Sequence, residues 1–232
     1  AYLLAVFYKI FGSKIVVARS INIILGSLSC AVLADAAKRI FSKPAGIITG
    51  LLLAIYAPAI FYDGLFHTTA LSGLLLCLII WLPAVAADLP ANIWFWPAAG
   101  IALGMSVLTR ENTIIFAIII PLWLLFHRRA PFQRRAVKTA VFLLGAAVVL
   151  FPVAARNKHI GGSWLLTTSN FGRNLYIGNH QGASGFYEPV QPGRGHAWFE
   201  QEDDTAIAEN AAGRKLSPAE VCAYWTGEAT NF

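Results

Sequence analysis

The stretch from Asn92 to Phe126 limits what this chain can fold into more than any other. Two apolar arms, Phe95 to Leu108 and Ile114 to Phe126, flank one polar cluster, Thr109-Arg110-Glu111-Asn112. Each arm is about 15 residues, or roughly 22 Å of helix, against a hydrocarbon core of ~30 Å. One helix over the whole stretch would bury an arginine and a glutamate at its middle. The pattern therefore predicts two helices in a hairpin, with these charges at one membrane face.

Composition indicates whether this hairpin folds in water or in a membrane. Of the 232 residues, 57% are hydrophobic and 13% are charged, whereas about a quarter of a soluble domain is charged. The chain is therefore predicted to be an integral membrane protein, an all-α polytopic bundle with about six transmembrane segments. The net charge of +6 is concentrated in short loops, which argues against nucleic-acid binding.

Two short basic loops predict the orientation of the bundle. Their basic residues are Lys38, Arg39 and Lys43 in the first loop and Arg128, Arg129, Arg134, Arg135 and Lys138 in the second. Loops of this kind remain on the cytoplasmic side, so an even number of crossings must separate them. The spans Ala45–Tyr62 and Leu65–Ala86 together with the hairpin give four, whereas a single long helix would give three. Arg110 and Glu111, at the hairpin tip, are then extracytoplasmic.

The chain divides into three predicted regions. Residues 1–14 form an interfacial helix, residues 15–155 the transmembrane domain, and residues 156–232 an extracytoplasmic region that is truncated at its end. The first crossing is Ile15–Ala37 and the last is Val137–Ala155. Because the chain opens and stops inside apparent helices, we interpret it as a fragment of a longer protein.

The last region is polar enough to fold in water and is predicted to be mixed α/β. Ser163–Thr168 is typical of a short strand, and the Gly-rich stretch Gly178–Gly195 of a flexible connection. The acidic run after His196 is interpreted as a solvated surface and not as a metal site. Ser217-Pro218-Ala219-Glu220 has the N-cap, first-turn proline and third-position glutamate that begin a helix.

The predicted topology brings several charged or polar residues to one outer membrane surface. They are Arg19, Asp63, His67, Arg110, Glu111, Arg156 and Asn157. Because charges in a membrane are costly, a convergent set of them indicates a functional site. Guanidinium stays charged and pairs bidentately with phosphate, so Arg110, Arg19 and Arg156 are predicted to bind a lipid phosphate. The alternative for Arg19 and Arg156 is that they extend to the interface from helix ends.

Two further residue types leave alternatives open. Asp63 and His67 could together bind a metal or move protons, yet one acid and one histidine also fit ordinary interfacial polarity. Cys30, Cys77 and Cys222 do not suggest a disulfide framework or a metal site. No metal site is therefore assigned, no cofactor is certain, and a divalent metal is left open.

Several short motifs follow one another in an order that extends over nearly the whole chain. They are Phe11-Gly12, Ala18-Arg19, Asn22 and Gly26; Leu103-Gly104 and Leu108-Thr109-Arg110; Pro152 and Arg156-Asn157; and Thr168, Gly172, Asn174-Leu175 and Gly178-Asn179. This order resembles the polytopic glycosyltransferases of the C-type fold. The likeness is greatest to family 39, which includes protein mannosyltransferases and the lipid A aminoarabinose transferase.

The resemblance implies transfer of a hexosyl or pentosyl group from a polyprenyl-phosphate donor to a protein, lipid or glycan acceptor. The reaction would take place on the outer face of a membrane, here the bacterial inner membrane. The family's catalytic acid lies in a first outer loop, upstream of the position of Tyr2, so the catalytic residue is expected before Ala1. A second group of residues would contact the acceptor or support the site. They are Asp63, His67, Glu111, Asn157 and Asn174.

Two other function classes are weighed against this one. A transporter or flippase of an anionic or lipid-linked substrate should show internal repeats and polar residues near mid-membrane. The sequence shows no repeat, and its charges gather at one face. A membrane scaffold would need no convergent arginines. The sequence therefore favours the glycosyltransferase.

Overall fold

In the computed structural model, helices and irregular connections make up the described chain, which contains no strand. The described residues are 9–10, 12, 14–65, 67–89, 92–126, 130–184, 186–191 and 193–231. The helices are α1 (Ile15–Ile40), α2 (Lys43–Ala54), α3 (Ala57–Asp63), α4 (Thr69–Asp88), α5 (Phe95–Thr109), a 3-10 turn (Glu111–Ile115), α6 (Phe116–Phe126), α7 (Phe132–Gly161), α8 (Phe171–Gly178), α9 (Ala197–Ala212) and α10 (Pro218–Thr230). The chain forms two compact units, unit 1 (Ala1–Leu150) and unit 2 (Phe151–Phe232).

Three of the described helices, α1, α4 and α7, are long and apolar enough to cross a membrane. A fourth span results if α2 and α3 are counted together. This agrees with an integral membrane protein built from helices, whereas the count of six crossings stays a prediction. The predicted interfacial helix over residues 1–14 falls mostly outside the described residues.

The predicted span Ala45–Tyr62 is broken, because α2 and α3 meet at an angle of 54°. Pro58 lies in the first turn of α3, and Ala54, four residues earlier, is the last residue of α2. A proline ring would clash with the carbonyl of the residue four positions before it in a continuous helix. The bend therefore follows from Pro58.

The polar cluster divides the central stretch into two helices, as predicted. Arg110 has φ −145° and ψ 104°, an extended backbone that ends α5 before the 3-10 turn begins. Trp96, at the start of α5, and Phe116, at the start of α6, line the same cavity. A straight helix would separate them by 20 residues, or roughly 30 Å. The chain must therefore turn back between them, as in a hairpin, whereas the two membrane crossings of the predicted hairpin stay a prediction.

An ion-pair network joins the ends of α1 and α4 at the first basic loop. Arg39 contacts Asp35 at 2.6 Å and Asp88 at 2.5 Å, and the Trp81 indole N–H donates to Asp35 over 2.8 Å. Arg39 also lines one cavity with Arg134, near the start of α7. Both basic loops therefore lie at one end of unit 1, as an even number of passages between them requires. We call it the basic-loop end.

Small residues bring α5 and α7 into backbone contact in the core of unit 1. A Cβ atom added at Gly100 would lie 1.9 Å from the Phe142 carbonyl oxygen, and one at Gly145 would lie 2.3 Å from that of Pro97. Close approach at small residues is the usual way in which helices associate where no water drives apolar surfaces together. The core around this contact is completed by buried side chains such as Leu103.

Unit 2 corrects the prediction of a mixed α/β tail, because its described residues form helices and irregular segments. Ser163–Thr168 forms no strand. Instead, the Asn157 side chain donates to the carbonyls of Leu165 and Thr167, both at 2.9 Å. A side chain thus supplies the hydrogen bonds that a neighbouring strand would otherwise provide.

The predicted helix start at Ser217 is confirmed as a complete capping box. The Ser217 hydroxyl accepts a hydrogen bond from the Glu220 backbone N–H, and the Glu220 carboxylate accepts one from the Ser217 N–H over 2.8 Å. The resulting helix, α10, packs its Trp225 into a small core that includes Ala208 of α9. Reciprocal satisfaction of these N–H groups determines where α10 begins.

The prediction of a solvated acidic run in α9 was wrong for Asp203 and Asp204, whereas the Glu202 side chain is 73% exposed. Asp203 and Asp204 are buried. Arg173 of α8 contacts Asp204 at 2.9 Å and Glu200 at 3.3 Å, and Arg194 contacts Asp203 at 3.2 Å. Residues four apart share one helix face, so Glu200 and Asp204 meet the same guanidinium. Burial raises the pKa of the Asp204 carboxyl, while Arg173 acts in the opposite direction.

Candidate functional site

Two side-chain contacts gather several helix ends opposite the basic-loop end of unit 1. The Asn22 side chain of α1 donates to the Leu65 carbonyl, between α3 and α4, over 2.7 Å. The Ser72 hydroxyl, in the first turn of α4, donates to the Thr109 hydroxyl at the end of α5 over 3.1 Å. Together they define what we call the polar end, which carries five of the predicted site residues. These are Arg19, Asp63, His67, Arg110 and Glu111.

Arg110 lies exposed at the hairpin tip, where local hydrogen bonds hold its backbone. Its N–H donates to the Ser106 carbonyl over 2.8 Å, and its own carbonyl accepts from the Thr113 hydroxyl over 2.8 Å. No carboxylate within the described ranges pairs with its guanidinium. The backbone is fixed while the charged group stays open to an anion.

Arg19 shares one face of α1 with Asn22 and Gly26, because residues at i, i+3 and i+7 line up along a helix. Asn22 contacts Leu65, between α3 and α4, and Gly26 lies against Asp63, the last residue of α3. Arg19 therefore continues the same face one turn nearer the helix start, and it is exposed. Among described residues it has no carboxylate partner.

Asp63 ends α3 with its carboxylate against α1. A Cβ atom added at Gly26 would lie 1.9 Å from the Asp63 Oδ2 atom, so this carboxylate occupies the space that a larger residue would fill. It makes no hydrogen bond or ion pair with another described residue. Gly26 is one of the motif positions of the family resemblance. The structure shows that its missing side chain leaves room for the Asp63 carboxylate.

His67 and Glu111 complete the predicted residues of the polar end. His67 is exposed, and its ring meets Tyr62 edge to face with centroids 6.4 Å apart. Glu111 lies in the 3-10 turn and is partly exposed. No ion pair links Asp63 to His67 in the part of the chain that the structure describes.

The other three predicted residues belong to unit 2. Arg156 is exposed near the end of α7, and Asn174 is exposed on α8. The amide group of Asn157 is engaged by the carbonyls of Leu165 and Thr167. Asn157 therefore holds the conformation of the segment after α7 through these hydrogen bonds.

Sequence reasoning missed the hydroxyl contact between Ser72 and Thr109. It places the end of α5, and with it Arg110, beside the first turn of α4. The Ser72 hydroxyl oxygen also lies 2.9 Å from the Thr68 carbonyl oxygen. A lone serine in an apolar span is the one available signal, because hydroxyls often hydrogen-bond between membrane helices. Residue spacing along the chain could not predict that its partner is Thr109, on another helix.

The polar end combines open guanidinium groups with a half-buried carboxylate. Arg19 and Arg110 can bind an anionic group, since guanidinium forms paired hydrogen bonds with phosphate oxygens. The Asp63 carboxylate lies against α1 at Gly26. This chemistry suits a phosphorylated ligand that approaches along the apolar spans.

Comparison with known proteins gives one family match. A family model described as dolichyl-phosphate-mannose-protein mannosyltransferase matches residues 1–156. The matched range contains the whole polar end. No curated protein and no solved structure matches the chain.

Proposed function

Because the chain belongs to the dolichyl-phosphate-mannose-protein mannosyltransferase family, we propose that it transfers a sugar from a polyprenyl-phosphate donor. The family consists of membrane glycosyltransferases that act on a lipid-linked donor. The acceptor would be a protein, lipid or glycan on the outer face of a bacterial inner membrane. The proposal includes six crossings and an extracytoplasmic unit 2, with the orientation supported by the basic loops.

The observation that carries the proposal is the pair of open guanidinium groups at the polar end. In sugar transfer, an acceptor oxygen or nitrogen bonds to the anomeric carbon while the bond from that carbon to the phosphate oxygen breaks. The bonding electrons stay on the phosphate, so its negative charge grows. Fixed cations at that position lower the barrier. We assign this role first to Arg110 and second to Arg19, and Arg156 remains a proposed contributor.

Acceptor binding is proposed for the remaining polar groups. Asp63, His67 and Glu111 lie at the same end of unit 1 as Arg110, while Asn157 and Asn174 are proposed from the sequence alone. A base must take the proton of the acceptor hydroxyl or amine. We assign that base to no residue of this chain.

Replacement of Arg110 by glutamine in the whole protein tests the phosphate assignment. Hydrogen bonds to charged groups contribute about 1.5–3 kcal/mol, so affinity for polyprenyl phosphate should fall about 10- to 100-fold. Transfer from a polyprenyl-phosphate sugar in isolated membranes should fall at least as far. Lys43→Gln is the matched control, because Lys43 is exposed and lies in the first basic loop.

An Arg110→Gln protein that binds polyprenyl phosphate like the wild type would reject the phosphate site. Movement of an intact lipid-linked sugar across vesicle membranes, without sugar release, would instead favour the transporter. Binding and transfer are measured separately so that these outcomes can be distinguished.

A further inference from the structure

A cavity of about 750 Å³ opens at the basic-loop end of unit 1. Its apolar part lies between α4 and α6, where Ile80, Ile119 and Trp123 line it and are 43–49% exposed. A volume of roughly 300–1,000 Å³ is typical of pockets that enclose a small ligand. The cavity is therefore large enough to receive a substantial part of an apolar chain from the side.

Basic side chains line one part of this cavity, which we call its mouth. Arg39, Arg134, Arg135 and Lys138 line it, and Asp88 is the acidic residue among its described lining. Arg39 is compensated by Asp88 and by Asp35, which is not part of the lining. The other three cations have no carboxylate partner among the described residues. The mouth thus carries uncompensated positive charge.

Arg135 shows that the mouth is built to meet an acceptor oxygen. Its Nη1 group donates to the carbonyl of Leu125, near the end of α6, and this bond orients the guanidinium. Its Nε atom is buried and has no hydrogen-bond partner among the described residues. A buried donor without a partner costs about 1–3 kcal/mol, and a bound anionic oxygen would remove that cost. The Lys138 ammonium lies nearby in the lining, 5.4 Å from the centre of the Trp96 ring.

We propose that this cavity binds an anionic glycerophospholipid of the surrounding leaflet. Its phosphate would contact Arg134, Arg135 and Lys138, and an acyl chain would occupy the space between α4 and α6. Charge complementarity identifies the ligand, because basic pockets between helices at a cytoplasmic surface bind anionic head groups. An apolar chamber behind a cationic mouth matches both parts of such a lipid.

This site is separate from the one proposed for the sugar donor. Asp88 lines the cavity at the last residue of α4, whereas the polar end meets the first turn of the same helix. Ser72, in that first turn, precedes Asp88 by 16 residues, or roughly 24 Å of helix, and the part of α4 that lines the cavity begins at Ile79. Lipid binding here does not depend on the proposed sugar transfer, and it can be measured without any donor.

Lipid binding would connect elements that the cavity separates. The proposed phosphate contacts lie at the start of α7, and the acyl chain would lie against α4 and α6. A ligand that binds the folded state and not the unfolded state stabilises the folded state by mass action. Added anionic lipid should therefore raise the unfolding temperature of the protein.

The experiment compares two lipids with the same acyl chains, dioleoyl phosphatidylglycerol and dioleoyl phosphatidylcholine. The whole protein is purified in a mild detergent, and each lipid is titrated while bound species are counted by native mass spectrometry. Phosphatidylglycerol should bind at least about tenfold more tightly, since each basic residue near an anionic lipid contributes about 1 kcal/mol. The preference should shrink as salt is added.

Two variants separate the mouth from the chamber. Arg134→Gln combined with Lys138→Gln should reduce the preference for phosphatidylglycerol to within about twofold, while Arg135 keeps its bond to Leu125. Lys43→Gln, the matched control outside the lining, should keep the full preference. Ile119→Trp fills the chamber without a change of charge, so it should weaken both lipids. It also carries the test if the double variant does not fold.

Equal binding of the two lipids by the wild-type protein would overturn the proposal. An equal loss of preference in Lys43→Gln would also overturn it, because the effect would then come from general surface charge. Competition by polyprenyl phosphate, together with weakened phosphatidylglycerol binding in Arg110→Gln, would reassign the bound lipid to the donor site. Loss of sugar transfer alone would leave the lipid preference intact and would bear only on the proposed function.

Discussion

Unit 1 and unit 2 both press a glycine of one helix against the backbone of another, but they distribute charge differently. A Cβ atom at Gly100 of unit 1 would lie 1.9 Å from the Phe142 carbonyl, and one at Gly172 of unit 2 would lie 2.0 Å from that of Cys222. In unit 2, the buried pair of Arg173 and Asp204 lies beside this contact. In unit 1, the ion pairs that join two described residues lie at the basic-loop end.

The difference follows from the surroundings of each unit. Helices in a lipid environment gain little from burying apolar side chains against one another, so close backbone approach at small residues supports association. Unit 2 instead has a small core around Trp225, and it pairs a buried carboxylate with an arginine. The stability of unit 2 should therefore fall when a buried charge is removed, and that of unit 1 when a glycine at a helix contact is replaced.

The strongest test of this comparison is replacement of Arg173 by methionine in the whole protein. Breaking a buried ion pair costs about 3–5 kcal/mol, because the remaining charge is left without compensation. Hydrogen–deuterium exchange of α10 should then accelerate markedly at neutral pH. The pKa of Asp204, already raised by burial, would rise further. A raised carboxyl pKa makes stability fall as pH rises, so the defect should shrink as the solution becomes acidic.

Arg214→Met supplies the matched control for this change. Arg214 pairs with Glu220 at 2.7 Å, but both side chains are substantially exposed, at 61% and 43%. Exposed pairs of this kind contribute little to stability, because solvent screens them. If both substitutions changed exchange equally, burial would not be the reason why unit 2 depends on Arg173.

The second test addresses unit 1 through Gly100→Ala. The added methyl group would meet the Phe142 carbonyl oxygen at 1.9 Å, so α5 and α7 would have to move apart. Overpacking a well-packed contact costs typically about 1–3 kcal/mol. The unfolding temperature in detergent should fall accordingly.

Gly73→Ala is the control within the same unit, because nothing lies within 4 Å of a Cβ atom built there. It should leave the unfolding temperature unchanged or raise it, since alanine favours a helix over glycine by about 1 kcal/mol. A similar loss of stability in both variants would contradict the role of the α5–α7 contact.

The smallest expected effect concerns the capping box of α10. Ser217→Ala should lower the free energy of unfolding by about 1 kcal/mol.

Hydrogen bonds from Arg214 and Ser217 lower the pKa of Glu220 to about 2, from a usual value of about 4.3. A lowered carboxyl pKa contributes stability above the usual pKa, and this contribution is lost as pH falls toward 2. Amide protection in the first turn of α10 should follow that range, and Glu220→Gln should abolish the dependence.

Local patterns in the sequence predicted the features that depend on near neighbours. The break at Arg110 and the start of α10 at Ser217 both follow from residues within one or two helical turns. The contact between Asp35 and Arg39 in the structure has the i,i+4 spacing of a helix-surface ion pair, so it also depends on near neighbours. The bend after Ala54 could have been predicted in the same way, because Pro58 limits the helix locally.

The sequence by itself determined the class of protein, the hairpin and the charges at its tip, because hydropathy, helix period and capping act over short distances along the chain. The tertiary structure alone decided which distant groups meet. It placed the Asp63 carboxylate against Gly26 and buried Asp204 against Arg173. It also assembled the cavity from five helices. Such contacts depend on how helices pack in three dimensions, and residue spacing along the chain carries no record of that packing.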